Sequence, residues 1–249
     1  MFLVKLWRAT LLVLHLFGGF GILYGNRNDP LHPDMRATMR RWFERMLRIL
    51  NVELTVVGDI PHESTRPVIM IANHISWVDI PLIGSLTPVN FLSKAEVASW
   101  PIVGSMAVKL GTLFITRGSG DTDHVMQAMS SHLSQQRSVL FFPEGTTTDG
   151  SKLRRFHKKL FKVCDSTEVV VCPVLIHYSA EGEPNRVPFV GDIGFGTHFW
   201  QMLGQKRIKA RVEVLPQVQL DPEHVGHQIR EVELQMRERL AHHNGALPN

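Results

Sequence analysis

Seven short runs rich in β-branched and aromatic residues recur along the chain, and stretches with helical periodicity separate most of them; no other feature narrows the fold as much. Residues 52–57, 68–72, 90–92, 112–115, 138–142, 169–176 and 209–215 read as strands. Residues 79–86, 101–110, 121–135 and 153–162 read as helices, and residues 222–243 again carry apolar positions at helical spacing. Such alternation predicts an α/β fold: a mixed, mostly parallel central sheet flanked by helices. No internal repeat, low-complexity tract or linker divides residues 52–249, which are therefore expected to form one domain.

The first 51 residues stand apart. After Lys5 and Arg8, the run from Ala9 to Tyr24 is apolar except for Thr10 and His15. A secretory signal would lead into a small-x-small cleavage site, and Gly25-Asn26-Arg27-Asn28 is a poor one. The run also falls short of the about 20 apolar residues of a clean bilayer span. It reads as an uncleaved anchor, either spanning or shallowly inserted. From Asp34 to Leu50, five arginines interleave with Met39, Trp42, Phe43, Met46 and Leu47 at three- and four-residue intervals. This is an amphipathic helix, suited to the interface of an anionic membrane or to ordinary packing on a domain surface; its place after the apolar run favours the membrane. Residues 1–51 are thus expected to be membrane-contacting helices.

A formal net charge of +4 fits attraction to anionic lipid, nucleic acid or a phosphorylated carrier without choosing among them. The basic residues lie among membrane-type apolar runs and no nucleic-acid motif is recognised, so no nucleic-acid partner is expected. Cys164 and Cys172 belong to no CxxC or Cys/His cluster, which argues against a disulfide scaffold or a metal site and for a reducing compartment. Pro173 follows Cys172, so a break in the strand is expected there.

Three segments carry candidate chemistry. In Val68-Ile-Met-Ile-Ala-Asn-His-Ile-Ser-Trp-Val-Asp79, an apolar strand runs into a loop bearing His74, with Asp79 five positions on. Across a strand-to-helix turn Asp79 could accept a hydrogen bond from the imidazole, fix its tautomer and leave the other nitrogen as a general base. Equally, Asp79 could only cap the following helix. Neither serine nor cysteine presents itself as a nucleophile: there is no Gly-x-Ser-x-Gly elbow, and Ser76 is not required if an acceptor's own hydroxyl attacks.

Lys94 and Arg117 close two further strand candidates. A guanidinium beside Gly118-Ser119-Gly120 can hold phosphate or carboxylate in a bidentate manner, or be a solvated arginine ending a strand; Lys94 has the same two readings. In the third segment an apolar strand runs into Pro143-Glu144-Gly145-Thr146, where the glycine permits a sharp turn. Lys152, Arg154, Arg155, Lys158 and Lys159 follow, as a cationic binding stretch or a solvated helix face.

In this order, Asn73-His74-Ile-Ser-Trp-Val-Asp79, Gly111-Thr-Leu-Phe-Ile-Thr-Arg117, Phe142-Pro-Glu-Gly-Thr146 and Val171-Cys-Pro-Val174 resemble the four blocks of the glycerolipid acyltransferases typified by lysophosphatidic acid acyltransferases. The resemblance implies His74 as base and Asp79 as its partner, with Arg117, Glu144, Gly145 and Thr146 shaping the acceptor site. It implies no metal or dissociable cofactor, acyl carrier protein or coenzyme A thioester as the acyl donor, and a lysolipid acceptor at the cytoplasmic face of the cell membrane. One departure matters. Such enzymes usually continue Glu-Gly-Thr-Arg, and Thr147 stands at the arginine's place. Either Lys152, Arg154 or Arg155 takes over a phosphate, or the acceptor differs, as in acylation of lyso-ornithine lipid. Lysophosphatidic acid is the leading expectation, another lysolipid the alternative, and a non-enzymatic peripheral lipid-binding protein the rival.

Overall fold

A computed structural model describes residues 2–25, 32–61, 66–116, 122–165 and 169–245. Two helices come first, α1 (Phe2–Gly25) and α2 (Pro33–Ile49), then strands β1 (Val52–Val57) and β2 (Val68–Ala72). The order continues with α3 (Asp79–Gly84), β3 (Asn90–Lys94), α4 (Ala95–Ala98), α5 (Val103–Lys109), β4 (Leu113–Ile115), α6 (Thr122–Ser134) and β5 (Val139–Phe141). A 3₁₀ helix (Lys158–Asp165), β6 (Val170–Ala180), α7 (Phe195–Met202), β7 (Ile208–Val214), β8 (Val218–Gln219) and α8 (Val225–Gly245) complete it.

The strands form one sheet in the order β1-β7-β6-β2-β5-β3-β4, with β8 paired to β6. All pairings are parallel except β6 with β7 and β6 with β8, so the expected mixed, mostly parallel sheet is what forms. β2 lies at its centre, and all five of its apolar side chains are buried. Ile69 and Ile71 pack on one face against Met129 of α6, Phe161 of the 3₁₀ helix and Met236 of α8. Met70 and Ala72 pack on the other against Leu47 of α2, Leu82 of α3 and Met202 of α7. Helices on both faces explain why this strand is apolar at every position rather than alternating. At the edge, β1 alternates: Glu53 and Thr55 are exposed while their neighbours turn inward.

α2 starts at Pro33, with His32 Nδ1 accepting from Asp34 N at 3.3 Å. Its Phe43 lies so close to α3 that a methyl group on Gly84 would sit 2.7 Å from the ring. α1 and α2 are locked by a reciprocal pair: Trp42 Nε1 donates to His15 O at 3.0 Å, and His15 Nε2 donates to Trp42 O at 2.9 Å.

Two expectations need correction. Residues 153–157 are not helical, and the turn that follows is a 3₁₀ helix. The first backbone amides that a helix from residue 153 would have to bond internally are engaged elsewhere: Phe156 N donates to Glu233 Oε2 at 3.4 Å and His157 N to Pro143 O at 2.8 Å. Amides held by neighbouring segments cannot bond the preceding turn, so no α-helix starts. Nor does Pro173 break its strand. β6 runs through it to Ala180, with Pro173 in register opposite Ile71 and its carbonyl accepting from Leu215 N at 2.9 Å.

Candidate active site

Register alone assembles the site. β2 and β5 are parallel neighbours with Ile69 opposite Val139 and Ile71 opposite Phe141. Continued past both strand ends, that register sets His74 opposite Glu144, and His74 N donates to Glu144 Oε1 at 2.9 Å. On the other side β2 meets β6 with Ala72 opposite Val174. There the buried Asn73 side chain extends the ladder, donating to Ile176 O at 2.9 Å and accepting from Ile176 N at 2.7 Å. The loop leaving the carboxyl end of the central strand is thus clamped from both sides, at the edge where sheets of this kind bind ligands.

His74 Nδ1 lies 2.8 Å from Asp79 Oδ2. A carboxylate can only accept, so Nδ1 carries the proton and Nε2, on the far side of the ring, is left as the acceptor. The imidazole stacks on Phe142, with centroids 3.9 Å apart and planes 10° apart. Asp79 is fully buried. Its Oδ2 also accepts from Ile75 N at 2.8 Å and Ser76 N at 2.9 Å, and its Oδ1 from the Tyr178 hydroxyl at 2.9 Å. Of the two readings left open for Asp79, capping of α3 is not what it does: the N-cap residue is Val78, without a side-chain cap bond, and the carboxylate points back into the loop.

Glu144 is almost fully buried and holds two amides, those of His74 and Arg154. Burial pushes its carboxyl above the usual range, and the two amide bonds offset this only in part. Gly145 adopts φ +68°, the left-handed conformation that a glycine adopts at little cost, and its N–H donates back to Phe142 O at 3.0 Å. Thr148 N donates to His74 O at 2.8 Å, so the turn after Glu144 grips the His74 loop a second time. The Thr147 hydroxyl donates to Phe189 O, whose own amide donates to Ile75 O at 2.9 Å.

The structure therefore joins His74, Asp79 and the turn of Glu144, Gly145 and Thr146. Lys94, Arg154 and Arg155 have exposed side chains; only the backbone amide of Arg154 reaches the site. Arg117 lies outside the described residues. Ser76 Oγ is fully buried and makes no bond to His74 or to any other described residue. Among the described residues no group of three or more His, Cys, Asp or Glu side chains is placed to hold a metal ion. Tyr178 and Phe189 were not singled out in the sequence. They come from distant segments, and nothing local marks them.

With this geometry in view, comparison with known proteins is informative. The profile of the family described as Acyltransferase matches residues 53–177. A lyso-ornithine lipid O-acyltransferase of Pseudomonas aeruginosa is 42% identical over 184 residues, which cover 74% of this chain and 70% of that protein. A 1-acyl-sn-glycerol-3-phosphate acyltransferase of Neisseria meningitidis is 33% identical over 170 residues, covering 68% of this chain and 66% of that protein. The crystal structure of the 1-acyl-sn-glycerophosphate acyltransferase PlsC from Thermotoga maritima superposes with a TM-score of 0.74, at 21% identity, over 100% of this chain and 97% of that one.

Proposed function

The chain belongs to the acyltransferase family, and from that premise we propose that it moves a fatty acyl group from a thioester carrier to the free hydroxyl of lyso-ornithine lipid, at the cytoplasmic face of the cell membrane. One observation carries the reaction: Asp79, bound by three further donors, holds the His74 Nδ1 proton, so Nε2 is oriented as a base. Nε2 takes the proton of the acceptor hydroxyl as its oxygen attacks the thioester carbonyl carbon. The negative charge that develops on the carbonyl oxygen is met by backbone amides beside the loop. The carbon–sulfur bond then breaks, and the imidazolium returns its proton to the leaving thiolate. An ester and a free thiol result, with no acyl-enzyme and no change in the protein.

The acceptor rests on Thr147. An arginine there could grip a phosphate with two parallel bonds, whereas the threonine hydroxyl is used up on the Phe189 carbonyl. An ornithine head group has no phosphate to grip. The relatives named for lyso-ornithine lipid, from Pseudomonas aeruginosa and at 31% identity from Rhizobium meliloti, agree with this. The second reading, lysophosphatidic acid, has the Neisseria relative in its favour. In that case Arg154, Arg155 or Arg117 would have to meet the phosphate, a task also open to Lys94.

Purified full-length protein offered both lysolipids, each with acyl-acyl carrier protein or acyl-coenzyme A, separates the readings by product mass. Acylated ornithine lipid is the expected product, and phosphatidic acid alone would transfer the assignment to the second reading. His74→Ala should lower turnover by roughly 10²–10⁴-fold, the usual contribution of a positioned base. Retained turnover would remove His74 from the chemistry. No product from any pair would leave the lipid-binding rival standing.

A further inference from the structure

His198 on α7 is buried, at 2% exposure, and takes no part in the dyad. Its two ring nitrogens face different segments. Trp77 Nε1, in the loop that carries His74, lies 3.1 Å from His198 Nδ1, and His198 Nε2 lies 3.1 Å from Pro188 O. An indole N–H can only donate and a carbonyl can only accept. Nδ1 is therefore the acceptor and Nε2 carries the proton, so the two neighbours fix one neutral tautomer. Burial lowers the pKa of this imidazole, and the carbonyls of Pro188, Val187 and Arg186 oppose the shift only in part. Protonation would set two N–H donors against each other at Trp77.

Residues 185–190, between β6 and α7, pass beside the site as a strap without regular secondary structure. Its near end is fixed: Arg186 N donates to Gln205 Oε1 at 2.7 Å, and Val187 is fully buried. The peptide joining Pro188 to Phe189 is held at both of its polar groups. Its carbonyl accepts from His198, and its N–H donates at 2.9 Å to the carbonyl of Ile75, the residue after His74. A peptide unit is a rigid plane, so these two bonds together fix its rotation about the chain. The next carbonyl, Phe189 O, is the one that accepts from Thr147. The Phe189 ring lies against His198, with centroids 4.8 Å apart.

Packing alone would be served by an apolar ring of similar size, with no polar atoms to satisfy. An imidazole presents an acceptor on one edge and a donor on another. Here both are spent on segments that border the reaction: the loop bearing the base and the strap that engages Thr147.

We propose that His198 is a positioning residue for acyl transfer: by bridging Trp77 and Pro188 it sets the strap's peptide plane against the His74 loop, and so sets where Thr147 and Phe189 bound the acceptor's head group. The inference rests on the reading that Thr147 borders that head group, and it adds the distant side chain that keeps the border in place. His198 touches no substrate; its effect passes through the strap. Asp79 keeps its own bond to His74, so the chemical step is spared and acceptor binding bears the loss.

Full-length protein is assayed with whichever of lyso-ornithine lipid and lysophosphatidic acid the wild type acylates, and KM is measured for the acceptor and for the acyl thioester separately. His198→Phe keeps a ring and removes both bonds. It should raise the acceptor's KM about tenfold, while the thioester's KM and kcat change by less than about threefold. A merely structural loss would lower the folded fraction, and with it kcat, and leave both KM values alone. His198→Gln, whose amide again offers an acceptor and a donor, should return the acceptor's KM to within about threefold of the wild type. Thr147→Val should also raise that KM. The double variant with His198→Phe should be no worse than the poorer single one, because both act through one strap.

One measurement reads the bridge without turnover. The five indole N–H signals of isotope-labelled protein are followed by NMR, and Trp77→Phe identifies that of Trp77. This signal should move upfield in His198→Phe, where its acceptor is gone. The same position with and without His198 would overturn the proposal, as would an unchanged acceptor KM in His198→Phe or effects that multiply in the double variant. An error in the base or the acceptor would show in the wild-type protein itself, whereas an error here would show only in the variants.

Discussion

Asp79 lost all its water on folding, and four donors replace it. Three belong to its own loop, but the fourth, the Tyr178 hydroxyl, comes from β6, far along the chain. Burial and the neighbouring Asp79 carboxylate raise the phenol well above its ordinary pKa, so Tyr178 stays a donor across the working pH range. Removing that hydroxyl leaves a buried oxygen underbonded and frees the carboxylate to rotate away from His74. Tyr178→Phe should therefore lower kcat by about tenfold with KM changed less than about twofold, since only the orientation of the base is altered. Full activity in the variant would reduce Tyr178 to packing. The dyad itself was readable, because spacing across a strand-to-helix turn limits where two side chains can meet. The Tyr178 contact was not: adjacent strands in a sheet need not be adjacent in sequence, and β6 was expected to end before that residue.

At the level of elements, the α1–α2 pair depends on a glycine at the crossing. A Cβ on Gly19 would lie 2.5 Å from Trp42 Nε1 and 3.0 Å from the Met106 terminal methyl. Gly19→Leu should force α1 away from α2 and cost about 1–3 kcal/mol, as overpacking usually does. The thermal midpoint would report this; an unchanged midpoint would mean that α1 contributes little to the folded body. All seven expected strands form, because continuous apolar runs between turn residues have few other ways to be buried. The stretch at 153–162 misled for a local reason. Leu153, Phe156 and Leu160 have helical spacing, but Glu233 and Pro143 capture the amides of Phe156 and His157 that a helix would need. α7 went unnoticed although Phe195 and Phe199 stand four residues apart, since one aromatic pair in eight residues is a weak periodic signal.

Across the whole molecule, the sheet brings a group of opposed charges under α8. Glu213 is buried, which alone would raise its carboxyl, but bonds from Arg239 at 2.6 Å and from His243 outweigh this and hold it below the usual range. Beside it, burial lowers His177 to about 4, with the neighbouring charge on His243 adding to this and Glu213 opposing it. A histidine depressed in the folded state binds protons more readily when unfolded. Its contribution to stability is therefore complete above the unfolded value of 6.5 and declines as pH falls from there toward about 4. The thermal midpoint should drop over that window, and His177→Gln should flatten the drop; an equal slope in both proteins would place the titration elsewhere.

Residue order was enough to establish the α/β class, the His74 loop, the turn at Glu144 and the apolar and basic helices ahead of them. Each of these is written in local spacing, and local spacing is what helix and strand periods act upon. Strand order, the Tyr178 and Phe189 contacts and the clasp between α1 and α2 are not local. They depend on which surfaces bury each other, a competition among distant segments that is resolved only when the chain packs.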